Sequence, residues 1–312
     1  MNKLRLCLTS IATLNAINYG GCRHFKRWVA PTLKEICKRK EQLPPQPEPK
    51  RSTFIEWNRE AELYAFNQRL KEKFDMEKLN QAFIHKSYIL QELKKQEEMG
   101  ITDPKLDIQD NRELIEKGKE ITSEIVTIYL NMALPDLPES GFVSLYDHIM
   151  SQEILAKASL HIGTKDIILT AEHPASEETL AQTFLALVGA LTESTNKGHV
   201  SDFVQDFLIT GLADKDLTEI WTPAKPFEML SDIMSTERKA SIEARIIGQA
   251  GTNTILSAYH VGIYIDREFL GSGFGQTIEE AKNVAATNIL SAMYGISESS
   301  QPLPFTNKYF FI

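Results

Sequence analysis

Cysteine is nearly absent from this chain: 312 residues hold three, Cys7, Cys22 and Cys37, all within the first forty positions. Disulfide frameworks and cysteine-based zinc sites are therefore excluded for everything downstream. Long apolar runs are missing too. No stretch approaches the roughly 18–20 uninterrupted apolar residues of a membrane-spanning helix, so no such span is expected. Acid is scarce at one end only. Residues 1–40 carry nine Lys/Arg against a single acid, Glu35, so this segment holds +8 of a chain whose formal net charge is -8. Everything after it is therefore at -16.

What the first segment does contain is Leu4, Leu6, Leu8, Ile11, Leu14 and Ile17 among hydroxyl and amide residues. A basic, amphipathic, acid-poor start is the composition of a mitochondrial transit peptide. A secretory signal would carry a cleaner apolar run, and Thr13, Asn15 and Asn18 interrupt this one. Residues 1–40 are thus expected to be a leader to the mitochondrial matrix. Pro44, Pro45, Pro47 and Pro49 then mark residues 41–53 as an extended linker.

Folded sequence follows, and its periodicity is helical. Trp57, Ala61, Tyr64, Phe66 and Leu70 predict a helix over 57–74; Asp75 caps a second one carrying Leu79, Ala82, Phe83 and Ile84. A long helix is expected over 112–130 on the stripe Leu114, Gly118, Ile121, Ile125 and Ile128. One over 142–161 is stopped by Gly163, Ser176 opens an apolar helix through 180–191, and a further helix covers 200–210. Pro223 and Pro226 break the pattern. Beyond them come a helix over 227–234, strands over 243–247, 258–265 and 268–272, and a helix over 277–293 with Ala281, Val284, Ala285, Ile289 and Leu290 inward. The expected architecture is an all-α domain at 54–215, an α+β domain of α-β-β-β-α order at 222–296, and a tail at 297–312.

The stretch from Gly271 through Gly273, Gly275 and Lys282 to Ala285-Ala286 resembles the G-x-G-x-S-K-K-x-A-K…AA signature of double-stranded-RNA-binding domains. Ala82-Phe83-Ile84-His85-Lys86-Ser87-Tyr88 is similar to the A-(F/L)-T-H-(R/K)-S-Y element of ribonuclease III. Residues 111–121 sit where that family has N-E-R-L-E-F-L-G-D-A-V, and residues 182–190 where it has D-x-x-E-A-L-I-G-A, with Gly118 and Gly189 fixing both registers. The resemblance spans roughly residues 55–295 and implies a ribonuclease III-like helical domain followed by a double-stranded-RNA-binding-type domain.

Ribonuclease III holds a divalent metal with carboxylates, because Mg²⁺ needs hard oxygen ligands and generates the hydrolytic nucleophile. The family places one pair at i, i+4 on the first helix and another at i, i+3 on the second, so each pair shares a helical face. In this chain those positions are Ile115 and Lys119, then Gln182 and Leu185. None is a carboxylate, and Lys119 would repel a cation. No catalytic residue, metal or cofactor is therefore expected. Glu113, Glu116 and Glu120 are read as a solvated helix face rather than a displaced ligand cluster, and His85 as a packed, hydrogen-bonded residue of an apolar helix.

The second domain is altered in parallel. The lysine pair that contacts phosphates in the family falls on Ile278 and Glu279, and Lys282 alone remains. Residues 223–295 hold six Lys/Arg against eight Asp/Glu, so RNA contacts are expected to be local, at Arg238, Lys239, Asn253 and Lys282. Together with the leader, these features resemble the ribonuclease III-type proteins of the mitochondrial large ribosomal subunit; residues 206–210 and Trp221 add to that likeness. The resemblance implies a structural role on mitochondrial large-subunit rRNA and neighbouring ribosomal proteins, with pairing to a second ribonuclease III-like domain as a further implied contact. Two other readings stand beside it: a mitochondrial RNA-processing endonuclease, and a non-ribosomal RNA-binding assembly factor.

Overall fold

Helix termini in this chain are set by side chains that the sequence places at the breaks. The structure, a computed structural model, describes residues 23–42, 49–101, 106, 108–213, 215–237, 241–252 and 254–296. Most of the expected leader, the centre of the proline-rich linker, Arg238, Lys239, Asn253 and the tail at 297–312 lie outside the described residues. Helix α1 (Arg23–Gln42) continues two residues past the expected start of the linker.

The helical domain consists of α2 (Arg59–Leu70), α3 (Met76–Ala82), α4 (Lys86–Glu98), α5 (Arg112–Ala133), α6 (Glu139–Ile149), α7 (Gln152–Ile162), α8 (Glu177–Ser194), α9 (Lys197–Phe207) and the short α10 (Leu217–Ile220). Asn58, Asp75 and Ser176 cap α2, α3 and α8 by accepting from Glu60, Glu77 and Thr179 backbone N–H groups. The organising element is α8. Between Thr179 and Leu191 every residue except Gln182 is buried, which is why its sequence is apolar on all sides. Around it Phe184 stacks on Phe203 with centroids 6.1 Å apart, and Phe66 meets Phe83 edge-on at 5.1 Å. Burying each such ring contributes about 2–3 kcal/mol.

Several expectations are corrected. The expected helix over 142–161 is two helices, α6 and α7. Ser151 breaks it by turning its hydroxyl onto the Ile154 N–H, a cap that no glycine or proline announces. Helix α2 begins at Arg59, and Leu63 rather than Tyr64 faces the core beside Phe66. His85 is not inside a helix: it is extended (φ -82°, ψ 146°) and caps α4, whose side chains include none that is fully buried.

The second domain consists of α11 (Pro226–Glu237), β1 (Ile242–Ala250), β2 (Ala258–Ile265), β3 (Glu268–Gly275) and α12 (Ile278–Met293), with the antiparallel sheet in the order β1-β2-β3. Asp266 and Arg267 turn β2 into β3 with φ of 47° and 75°, the twist that a tight hairpin requires. Leu230, Met234, Ile263, Ile265, Ala285, Ala286, Ile289 and Leu290 form the core between sheet and helices. A Cβ on Gly273 would lie 2.3 Å from the Ala285 backbone nitrogen, so that glycine lets α12 rest directly on β3. Val284, expected inward, is 41% exposed; Ala286 is buried instead.

The two domains share a seam. Beyond α12, Ile296 is 6% exposed and belongs to the core of the helical domain. Tyr294 packs against both cores and meets Trp221 edge-on at 6.2 Å.

Candidate functional site

Helices α5 and α8 approach each other closely at two glycines. A Cβ on Gly118 would stand 1.9 Å from the Leu185 carbonyl oxygen, and one on Gly189 would stand 2.1 Å from that of Leu114. No side chain fits at either point, so the helices cross backbone on backbone. This crossing brings the two segments that carry the candidate ligand positions together.

Beside the crossing, α4, α5 and α8 enclose an open cleft of about 470 Å³ lined by His85, Leu90, Asn111, Ile115, Glu116 and Gln182 among others. Of the four ligand-equivalent positions the structure brings Ile115 and Gln182 to this cleft. Lys119 is exposed and does not line it, and Leu185 is 7% exposed within the core. Glu113, Glu116 and Glu120 are all exposed, and only Glu116 reaches the cleft. Among the described residues no group of three or more His, Cys, Asp or Glu side chains is arranged to hold a metal ion.

Instead of ligands, the cleft wall carries a chain of directed hydrogen bonds. The Glu178 carboxylate can only accept, so Gln182 turns its Nε2 toward it at 3.0 Å. Gln182 Oε1 therefore faces His85 Nε2 at 3.1 Å and accepts a hydrogen bond from its N–H. That fixes the tautomer and leaves His85 Nδ1 to accept from the Ser87 hydroxyl at 2.8 Å and the Ser87 N–H at 3.3 Å. Ser87 Oγ in turn accepts from the Ala171 N–H at 3.3 Å and lies 3.2 Å from Thr170 Oγ1. The expectation of a packed histidine matches this arrangement. Sequence reasoning gives Ser87 only a place in the Ala82–Tyr88 motif and no role of its own; it misses Thr170 altogether, and it misses Glu178, whose signal is its position four residues before Gln182.

In the second domain Ile278 is 46% exposed and Glu279 is exposed at the start of α12. Thr277 and Glu280 form a capping box, and Glu280 Oε2 also accepts from the Gln276 N–H at 3.1 Å. A carboxylate thus occupies the helix N-terminus that would otherwise attract a phosphate. The Lys282 ammonium lies 3.5 Å from the centroid of the Phe227 ring on α11, a cation–π contact that holds the side chain half-buried.

Comparison with known proteins places these features in a family. The family model described as the endonuclease domain of large ribosomal subunit protein mL44 matches residues 58–191, and that of the MRPL44 dsRNA-binding domain matches residues 221–311. Large ribosomal subunit protein mL44 of Caenorhabditis elegans is 28% identical over 280 residues, which cover 87% of this chain and 68% of that protein. Ribonuclease 3 of Enterococcus faecalis is 24% identical over 235 residues, 72% of this chain and 96% of that protein. The nuclease domain of ribonuclease III from Campylobacter jejuni aligns with a TM-score of 0.40 at 17% identity, over 49% of this chain and 97% of that one. A ribonuclease III-like helical domain joined to a double-stranded-RNA-binding-type domain, each matched by its own model of one family and together spanned by a relative of that family, makes this chain a member of the large ribosomal subunit protein mL44 family.

Proposed function

We propose that this chain is a structural constituent of the mitochondrial large ribosomal subunit, contacting rRNA and neighbouring ribosomal proteins, and that it is not a nuclease. What supports the reading is that Ile115, Lys119, Gln182 and Leu185, the positions the resemblance aligns with the family's four carboxylates, carry none, beside a close crossing of α5 and α8. Hydrolysis of a phosphodiester by this family's chemistry needs a metal to generate hydroxide, and an alkyl, an ammonium and an amide supply no ligand set for it. What the fold retains is shape: a rigid helical body and an α-β-β-β-α module joined through Trp221, Tyr294 and Ile296.

The supporting parts follow from that role. The basic leader at 1–40 directs the chain to the matrix and is linked through 41–53 to a helical domain at 54–215; an RNA-binding-type domain at 222–296 precedes the tail at 297–312. Arg238, Lys239, Asn253 and Lys282 are the residues proposed to touch RNA, and a second ribonuclease III-like domain is a proposed neighbour. The deciding experiment is sedimentation of the tagged chain from lysed mitochondria. Comigration with large ribosomal subunits, together with no Mg²⁺- or Mn²⁺-dependent cleavage of duplex RNA by the purified chain, is expected. A chain that stays at the top of the gradient and cuts duplex RNA would sink the proposal.

A further inference from the structure

The sheet of the second domain has one face covered and one bare. Val261, Ile263 and Ile265 are buried on the side of α11 and α12, so the alternation of β2 sends His260, Gly262 and Tyr264 to the other side. Apolar side chains meet over that outer face. A Cβ on Gly262 would stand 2.6 Å from Ile247 Cδ1 and 3.2 Å from Phe269 Cε2, so both side chains close over the glycine. Ile247 sits at the bulge of β1, between the pairs Ile246–Val261 and Gly248–His260. Phe269 meets Tyr264 edge-on with centroids 5.5 Å apart, and Phe274 stacks on His260 at 4.1 Å. Ile247, Phe269 and Phe274 nevertheless remain 48%, 55% and 68% exposed. Single apolar side chains on a surface are ordinary, whereas a contiguous row of rings marks a surface that something covers.

Rings in a row also suit the bases of single-stranded RNA, but such sites set cations beside the rings to hold the phosphates. Here Arg245, 5.5 Å from the Tyr264 centroid, is already paired with Glu243, and the hairpin at the Phe269 end holds Asp266 and Glu268 against Arg267. An apolar face with acid at its end favours a peptide segment over RNA.

The chain carries such a segment. Residues 301–312 hold four aromatic residues, Phe305, Tyr309, Phe310 and Phe311, a third of the stretch against 9% of the whole chain, with Lys308 and no acid. A solvated tail is poor in aromatics. The family's dsRNA-binding-domain model runs on to residue 311, beyond the end of α12. The route to the face is short. Gly275, Gly273 and Gly271 lie against Ala281, Ala285 and Ile289 in turn, so α12 runs antiparallel to β3 and finishes at the Phe269 end of the sheet. From Ile296, fixed in the core of the helical domain, residues 297–304 can span up to about 26 Å. The sheet is roughly 10 Å wide across its three strands.

We infer that residues 305–312 lie across the outer face of the β1-β2-β3 sheet, their rings against Ile247, Phe269 and Phe274, so that the tail closes the second domain from the side opposite α12. The inference does not depend on the ribosomal reading, and the purified chain tests it without ribosomes.

A photo-cross-linking phenylalanine analogue would replace Phe310 in the purified full-length chain, and the linked peptides would be identified by mass spectrometry. The expected product joins the tail to residues 243–274 within one chain, in a yield that does not change on dilution. Phe269→Ser with Phe274→Ser alters exposed positions only. It is expected to abolish that product while the far-ultraviolet circular dichroism stays that of the wild type. The same analogue at Val143, exposed on α6, controls for random linkage and is expected to leave the sheet unlinked. A product between two chains that disappears on dilution would give the face to a second copy. Linkage of the tail to the helical domain alone, or no linkage, would leave the sheet to another macromolecule. Each of these results overturns the inference, as does an undiminished link in the doubly substituted chain. None of them bears on comigration with the large subunit, so the two readings fail separately.

Discussion

Gln182 is the one residue between Thr179 and Leu191 that escapes burial, and its Oε1 accepts from His85 Nε2 at 3.1 Å. The amide thus bridges Glu178 and His85 and fixes the orientation of the imidazole. Gln182→Leu should remove that bond and leave the His85 N–H without its acceptor, destabilising the chain by about 1 kcal/mol. Chemical denaturation reads the stability, and ¹⁵N spectra of the ring read the tautomer. Finding the proton on Nδ1 in the wild type would contradict the hydrogen-bond directions derived from Glu178.

The α5–α8 crossing should be the least tolerant point of the helical domain. In Gly118→Ala the new methyl meets the Leu185 carbonyl, a backbone atom that cannot rotate away. Displacing two packed helices should cost about 3 kcal/mol, at the upper end of overpacking effects. For a chain of this size that lowers the melting temperature by roughly 6–12 °C. A wild-type melting curve for this variant would mean that the helices cross farther apart than described.

Glu193 ties α8 to both α5 and α3, through Lys117 at 2.6 Å and Lys78 at 2.8 Å. The hydrogen bonds from Lys117, then Lys78, hold its carboxyl below the ordinary value of 4.5. A carboxylate with a depressed folded pKa stabilises above its unfolded pKa, and the contribution is lost as pH falls through the folded value. Lys117 is exposed and Lys78 is more than a third exposed, so the effect should stay within about 1 kcal/mol. Wild type and Glu193→Gln are expected to differ in urea midpoint near pH 7 and to converge as pH drops below 4.5. Parallel curves across that range would show that the bridge contributes nothing.

On α12, Ile278→Lys with Glu279→Lys adds two positive charges and removes one negative charge at exposed positions, and leaves the Thr277–Glu280 cap untouched. Duplex RNA binding by the full chain should strengthen, and its salt dependence should steepen by roughly one log unit per new phosphate contact. An unchanged salt slope would show that this end of α12 does not face RNA.

These features were unequally legible in the sequence. Gly118 and Gly189 could be read only as anchors of the family resemblance, the backbone crossing that excludes a larger residue being visible in the fold alone, whereas Asp75 and Ser176 were legible because a capping side chain announces its helix. The break at Ser151 could not be read, since the apolar period runs through it and only a hydroxyl turned onto the Ile154 N–H stops the helix. Helix α4 left no apolar stripe because it buries no side chain completely. His85 looked helical from its neighbours, yet its backbone is extended so that the ring can accept from Ser87. In the candidate site, positions four apart on one helix were visible, whereas the link from Ser87 to Ala171 joins residues 84 apart and needs the fold to bring them together.

The crossing at Gly118 and Gly189 is written in Cα hydrogens and carbonyl oxygens, whereas the cleft beside it is lined by side chains. Joint and chemistry are therefore separable inheritances. The side chains lining the cleft can change one at a time without loosening the joint. Losing the joint offers no such gradual route, because the first methyl group placed there collides with the backbone opposite.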